Sequence, residues 1–173
     1  MSESADPSCL SAPPYQMLVK VARHSQIGDP EGCATLLALL ATGRSLRAHL
    51  QQVLAGLNLS EAKFSVLVSL YAADPAPLAP ADLAQQSGIS RATITDALGG
   101  LCADRSIQRE PASTDRRAFV IRLTDHGRTV TEDAIRPFLT AIATCSDALS
   151  LSEQQAVKKV CAHVDHRLPS LTS

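Results

Sequence analysis

Two short polar stretches hold the side chains best suited to contact a polyanion. The first is the outward side of a helix that the sequence predicts from Ser90 onward, where Arg91, Thr93 and Thr95 follow. Short hydroxyls beside one guanidinium suit a helix lying in a major groove, because they reach phosphate oxygens and base edges without steric excess. The alternative is a solvated polar face, which any surface helix has. The helix taken alone does not separate these two interpretations.

The second stretch is the tripeptide Asp115-Arg116-Arg117, which ends a turn-rich segment beginning at Pro111. Side chains two apart in an extended segment point the same way, so Asp115 and Arg117 share one side. We interpret Asp115 as the group that orients Arg117, whose guanidinium would enter a narrow minor groove. Arg116 would then lie against phosphate. A solvated loop is the alternative, but the register of the arginines with the helix favours the groove contact.

Helix signals place the first stretch on the second of two consecutive helices. Ser90 is a predicted N-cap for this helix. Its inward positions recur at helical spacing and are Ile94, Leu98 and Leu101. The segment Pro80–Ser87 is predicted as a shorter helix with proline in its first turn, and Gly88 stands where a positive φ is needed just past a helix end. Two helices joined by a short glycine-containing turn predict a helix-turn-helix.

A two-stranded ribbon is predicted to carry the second stretch. Strands are predicted at Ile107–Glu110 and Ala118–Leu123, with the polar turn Pro111–Arg117 between them. Another helix is predicted to begin at Thr124. A helix-turn-helix followed by such a ribbon is a winged helix-turn-helix, and the turn of the ribbon is its wing.

Several segments spread over residues 35–168 resemble, in their order and spacing, the multiple-antibiotic-resistance regulator (MarR) family. They are Leu59–Leu67, Leu83-Ala84, Ser90–Thr95, Asp115–Arg117 and Leu123–Arg128. The resemblance implies a mainly α winged helix-turn-helix protein whose long N- and C-terminal helices interlock in a homodimer. It also implies that the partner is double-stranded DNA, bound at a pseudo-palindromic operator. Asp115 and Arg117 then match the family's wing pair. The groove-facing positions of the family's recognition helix are matched by Ser90, Arg91, Thr93 and Thr95.

From this resemblance we expect a transcriptional regulator, and specifically a repressor released by a small-molecule effector. The sequence has no phosphate loop, no nucleophile elbow and no suitably paired carboxylates, so we expect neither enzymatic activity nor a cofactor. The effector would bind between the dimer-forming helices and the winged region. Three features depart from the family's pattern: Asp96 where a basic residue is common, the pair Gly99-Gly100, and Arg105-Ser106 at the helix exit. Asp96 and the glycine pair favour an alternative in which the winged helix contacts another protein instead of DNA.

Composition bounds the fold but does not by itself indicate nucleic acid. The chain has 173 residues, of which 45% are hydrophobic and only 3% aromatic, so one domain with a core of Leu, Val, Ile and Ala is expected. The formal net charge is −1. Residues 105–128, however, carry six arginines against three acidic residues, a local balance of +3 that a dimer would present twice. We therefore expect a DNA affinity that falls with salt.

The sequence also bears on location and on other chemistry. No apolar run approaches the ~20 residues that span a bilayer, and the first residues lack the pattern of a secretory signal. A cytoplasmic protein without membrane contact is expected, with its five cysteines as free thiols. One alternative is oxidation sensing at Cys33, because a helix start stabilises a thiolate. His163 and His166 could ligate a metal with His24 or Cys161, but a solvated helix end is favoured and no metal is expected.

The pattern divides the chain into four segments. Residues 1–28 are predicted as a tail with a short extra helix, Tyr15–His24, that packs on a partner subunit. Residues 29–58 are predicted as the N-terminal dimerisation helix, 59–124 as the winged helix-turn-helix region, and 125–173 as the C-terminal dimerisation helices. The long helix after Asp29 is apolar on more than one face, which is the reason to expect a dimer.

Two further local predictions concern the helices on either side of the winged region. The helix capped by Ser60 is predicted to face inward with Phe64, Leu67, Val68 and Tyr71. A capping box is predicted at Ser152–Gln155, after a long helix over Asp125–Ala148.

Overall fold

The computed structural model describes residues 13–25, 29–111 and 118–168. Within this part of the chain it contains, in order, α1 (Pro13–Ser25), α2 (Pro30–Ala55), α3 (Glu61–Ala73), α4 (Pro80–Ser87), α5 (Arg91–Ala103), β1 (Ile107–Pro111), β2 (Phe119–Leu123), α6 (Asp125–Ser146) and α7 (Leu151–Arg167). The described residues group into two compact units, one on each side of the boundary between Gly56 and Leu57. The predicted mainly α fold with a two-stranded wing ribbon is confirmed.

The first unit consists of two helices that pack on each other. The helix predicted at Tyr15–His24 is present within α1, and the side chain of Val19 is buried. Asp29 caps α2, because its carboxylate accepts a hydrogen bond of 3.1 Å from the backbone N–H of Glu31. Arg23, near the end of α1, pairs with the Glu31 carboxylate at 3.2 Å. This ion pair joins the end of α1 to the start of α2.

The core of the second unit is built around α3, which contacts α4, α5, α6 and β2. Phe64 and Leu67 are buried as predicted, but Val68 and Tyr71 are only half-buried. The most deeply buried residues of α3 also include two that the helical pattern does not predict, Val66 and Leu70, which are 0% and 1% exposed. The prediction was wrong there because α3 has neighbours on several sides, so its apolar positions do not form one stripe.

The ribbon is antiparallel, and Ile107 pairs with Leu123 at its base. Both strands lie within one residue of their predicted ends. The link between α3 and α4 adds a short third edge, because Leu78 and Ile121 exchange backbone hydrogen bonds of 3.0 and 2.8 Å. Ile121 is fully buried. Strand β2 therefore lies between β1 and the link that leads into α4.

The exit of α5 is a Schellman turn whose left-handed residue is an arginine. Arg105 has φ +57°, and its backbone N–H donates to the Cys102 carbonyl at 3.1 Å. The N–H of Ser106 reaches back to the Leu101 carbonyl at 2.9 Å. This pair of bonds defines the motif, in which glycine is the usual left-handed residue. The departure from the family's pattern at Arg105-Ser106 therefore leaves the helix exit intact.

The last two helices are joined by a short turn, and the predicted capping box lies two residues too late. Helix α6 ends at Ser146, and α7 begins after Ser150, not Ser152. Ser150 donates its backbone N–H to the Glu153 carboxylate at 2.7 Å, and its hydroxyl accepts from the Glu153 N–H. Hydrogen bonds from Ser150 hold the pKa of Glu153 below its ordinary value. Ser150 and Ser152 each have a possible capping partner three residues on, Glu153 and Gln155. Only Glu153 carries a negative charge, which the positive end of the helix dipole stabilises, and this favours the capping box at Ser150.

None of the helices in the described ranges has the length and apolar character needed to cross a lipid bilayer.

Candidate nucleic-acid interface

The predicted helix-turn-helix is present as α4, a three-residue turn (Gly88–Ser90) and α5. Gly88 follows α4 with φ +63°, a left-handed conformation that a side chain would strain. Ser90 caps α5 by accepting a hydrogen bond of 3.2 Å from the backbone N–H of Thr93. Leu83 of α4 and Ile94 of α5 are 0% and 1% exposed, so both helices are seated on the core. The opposite side of α5 is thereby turned to solvent.

The exposed side of α5 carries the four predicted groove-facing residues, Ser90, Arg91, Thr93 and Thr95, together with Asp96. The hydroxyls are partly engaged within the helix. Ser90 Oγ and Thr93 Oγ1 share a hydrogen bond of 2.8 Å, and Thr95 donates its proton to the Arg91 carbonyl at 2.9 Å. The threonine oxygens keep acceptor capacity. The Arg91 guanidinium is therefore the strongest donor on this face.

A lysine from α3 crosses the far end of α5, and the sequence pattern gives no indication of it. Lys63 Nζ pairs with the Asp104 carboxylate at 2.9 Å. Its side chain passes directly over Gly100, where an added Cβ would lie 2.5 Å from Lys63 Cε. The glycine that interrupts the helix thus provides the space for this ion pair. No sequence signal joins Lys63 to a position 41 residues away.

Substituting each glycine of the pair with alanine should separate these two effects. A Cβ at Gly99 meets none of the described residues within 4 Å, so Gly99→Ala should raise the free energy of unfolding by up to about 1 kcal/mol, the helix-propensity difference. Gly100→Ala should gain less, because Lys63 must move away and give up Asp104. Urea unfolding followed by circular dichroism measures both. An equal gain at the two positions would contradict the role assigned to Gly100.

The three predicted wing residues, Asp115, Arg116 and Arg117, lie outside the described residues, so their groove contacts stay predictions. The ribbon below them is described. Arg109 of β1 is exposed, and its guanidinium carbon lies 5.0 Å from the centre of the Phe119 ring. This stacking holds an arginine on the outer surface of the ribbon.

Six arginines give residues 105–128 their positive charge balance. Two of them form ion pairs with carboxylates of this chain and are therefore less available to phosphate. Arg122 pairs with Glu110, with Nε to Oε1 at 3.0 Å. Arg128, in the first turn of α6, pairs with Asp74 at the end of α3. The predicted balance of +3 therefore overstates the charge that is free to meet a polyanion, because sequence counting does not reveal which arginines are already paired.

Arg128 belongs to a wider polar cluster between α3 and α6. Its guanidinium carbon lies 5.9 Å from the centre of the Tyr71 ring, and the Tyr71 hydroxyl donates to Glu132 at 3.0 Å. The hydrogen bond to Asp74 raises the pKa of Arg128, and the bond to Glu132 raises the pKa of Tyr71. The cluster joins the base of the winged region to α6. The sequence around Asp74 indicates only a proline-stiffened link.

The geometry of the described residues adds no support for the two other kinds of chemistry considered from the sequence, oxidation sensing and metal binding. Cys33 lies half-buried in the first turn of α2, and among the described residues it is a free thiol, as are Cys102, Cys145 and Cys161. In the same part of the chain, no group of three His, Cys, Asp or Glu side chains is placed to hold a metal ion.

An exposed helix that follows a tight turn, beside an antiparallel ribbon, defines a winged helix-turn-helix protein. Residues 55–118 match the model of the MarR family. The HTH-type transcriptional repressor YetL of Bacillus subtilis is 28% identical over 156 residues, which cover 90% of this chain and 93% of that protein. The chain is therefore similar to the MarR family in its winged region, and its similarity to this repressor extends over most of its length.

Solved structures share the fold. A MarR family transcriptional regulator from Silicibacter pomeroyi has a TM-score of 0.59 at 25% identity, covering 76% of this chain and 88% of its own. AbsC, a MarR family transcriptional regulator from Streptomyces coelicolor, has a TM-score of 0.72 at 21% identity, with coverages of 83% and 97%. A mutant MarR from E. coli, complexed with operator DNA, has a TM-score of 0.64 at 20% identity, with coverages of 73% and 89%.

Proposed function

We propose that this chain is a DNA-binding transcriptional regulator that places α5 in a major groove and the turn after β1 in the neighbouring minor groove. The observation that carries the proposal is the exposed polar side of α5, which presents Arg91 and two threonines beside an arginine-bearing ribbon. Arg91, Thr93 and Thr95 contact phosphates and base edges. Arg117, oriented by Asp115, enters the minor groove, and Arg116 meets phosphate.

The regulator acts as a homodimer, in this proposal, whose terminal helices cover one another. Within the described part of the chain α7 has no buried residue, although it is 17 residues long. A helix of that length is only marginally stable in water without tertiary packing. Its exposed apolar residues include Leu151, Val157 and Val160, and α6 adds Leu139 and Ile142. A second copy of the chain would bury these residues. The exposed side of α1 carries Met17, Leu18 and Val21 and is predicted to pack on a partner subunit.

The regulator is proposed to repress its target in the cytoplasm and to be released by a small-molecule effector. The name of the Bacillus subtilis relative supports repression, and the operator complex of the E. coli protein supports operator binding. Two recognition helices of a dimer must meet successive major grooves about 34 Å apart. An effector that changes their spacing lowers the affinity without touching the DNA.

Electrophoretic mobility shift with the DNA that flanks its own gene tests the proposal. Retardation of that fragment at lower protein concentration than a shuffled fragment of equal length is expected. The logarithm of the affinity should fall linearly with the logarithm of the salt concentration, with a slope of about −0.9 for each phosphate contact. A flat salt response would contradict phosphate contacts.

The second candidate function is a winged helix that contacts another protein. The exposed Asp96 favours it, because a carboxylate on the outward side of α5 repels phosphate. Equal and weak binding of both fragments, with a purified complex that contains a different protein, is the result that this candidate predicts.

A further inference from the structure

The ribbon that carries the wing is held by one side chain that touches the elements on both sides of β2. Arg122 Nε donates to both carboxylate oxygens of Glu110 on β1, at 3.0 and 3.2 Å. Its Nη1 donates to the backbone carbonyl of Pro75, in the link between α3 and α4. Gln108 donates to the same carboxylate at 2.9 Å. One guanidinium thus joins the outer strand of the ribbon to the segment that leads into the helix-turn-helix.

The register of the ribbon places this pair near the end of β1 that leads into the predicted wing. Glu110 pairs with Val120 and Gln108 pairs with Arg122, so Glu110 and Arg122 are diagonal neighbours on one face of the ribbon. Glu110 is followed by Pro111, the last residue of β1, after which the wing turn begins. The guanidinium and carboxyl side chains are about one third exposed, at 32% and 34%. A two-stranded ribbon is marginally stable by itself, so such tethers determine how firmly it is held.

We propose that Arg122 is a positioning residue for the wing: shared between Glu110 and the Pro75 carbonyl, it orients the ribbon relative to the helix-turn-helix and does not contact phosphate. This inference rests on the proposed function, since a positioned wing matters only if the wing meets DNA. Hydrogen bonding to Arg122 also lowers the pKa of Glu110, so the carboxylate stays charged in its role.

The sign of the Glu110→Gln effect on DNA affinity distinguishes positioning from phosphate contact. If Arg122 bound phosphate, removing the neighbouring negative charge would free the guanidinium and raise the affinity. A positioning role requires the opposite. For a dimer that carries the pair twice, we expect Glu110→Gln and Arg122→Gln each to lower the affinity about three- to tenfold. The double variant should be no weaker than the weaker single variant, because both substitutions break one unit.

Arg109→Gln is the matched control, because Arg109 lies on the same ribbon and is exposed without a carboxylate partner among the described residues. It should reduce the salt slope by about 0.9 for each phosphate that Arg109 neutralises, whereas Arg122→Gln should leave the slope unchanged. Fluorescence anisotropy with the labelled DNA that flanks its own gene, over a series of salt concentrations, measures both quantities. A higher affinity of Glu110→Gln, or a reduced slope for Arg122→Gln, would overturn the positioning role.

Amide hydrogen exchange tests the same claim without DNA and so separates its failure from failure of the proposed function. Faster exchange of the Val120–Leu123 amides is expected in Glu110→Gln and Arg122→Gln, but not in Arg109→Gln, which loses only its stacking on Phe119. Unchanged exchange in the first two variants would overturn the positioning role even if the protein binds DNA. Faster exchange in a protein that binds no DNA would leave the tether established and the proposed function refuted.

Discussion

Replacing Gly127 with alanine should lower the free energy of unfolding by about 3 kcal/mol. A Cβ at this position would lie 1.9 Å from the Ser106 carbonyl oxygen and 3.0 Å from Leu123 Cδ1. The same oxygen accepts hydrogen bonds from the Thr124 backbone and hydroxyl at 3.1 and 3.0 Å. Neither backbone can move aside without breaking this junction, at which the start of α6 meets the start of β1.

The expected sign is the reverse of the ordinary effect, since Gly→Ala within a helix usually stabilises by about 1 kcal/mol. Guanidinium unfolding followed by circular dichroism measures the change, and Gly99→Ala is the matched control because a Cβ there meets none of the described residues within 4 Å. The control should be as stable as the wild-type protein or more so. A Gly127→Ala protein of wild-type stability would show that α6 does not approach Ser106 as closely as described.

Replacing Arg117 with alanine should have the largest effect on operator binding, a decrease in affinity of about 10- to 100-fold. In the proposed complex its guanidinium enters a minor groove, where narrow A·T tracts concentrate negative potential. The substitution removes this guanidinium from both subunits of a homodimer at once. The thermal unfolding midpoint should not change, because the sequence predicts Arg117 in a polar turn between the two strands and not among the core positions.

Binding to operators whose flanks are A·T-rich or G·C-rich shows whether the contact is in the minor groove. The wild-type protein should prefer A·T-rich flanks, and Arg117→Ala should abolish that preference. Arg136→Ala, at an exposed arginine of α6, is the charge-matched control and should change neither affinity nor preference. Retained operator affinity in Arg117→Ala would refute the minor-groove role.

Local signals in the sequence are sufficient for the elements and for the turn between α4 and α5. The caps at Ser60, Ser90 and Thr124 each accept a hydrogen bond from a backbone N–H three residues on. Gly88 adopts the positive φ that the turn after α4 requires. Such interactions depend on neighbouring residues only, which is why residue types and spacing predict them. The winged helix-turn-helix order follows from these signals.

Where several choices are locally equivalent, the sequence misleads or is silent. Ser150 and Ser152 both have a capping partner three residues on, and Ser150 forms the box. Arg105 takes a left-handed conformation that its residue type does not suggest. The helix α3 is apolar on several sides, so only its neighbours in space decide that Val66 and Leu70 are fully buried.

The sequence by itself determined the helices, the ribbon and the exposed polar side of α5, because short-range hydrogen bonding and periodicity encode them. Only the tertiary structure showed that Arg122 and Arg128 are paired with groups on other elements. The partner of Arg128 is 54 residues away, and Arg122 depends on one partner 12 residues away and another 47 residues away. Charge counting along the chain treats all six arginines alike. Folding brings acidic side chains and a carbonyl oxygen from other elements to two of them, Arg122 and Arg128. These two arginines therefore join structural elements and are not simply surface charges.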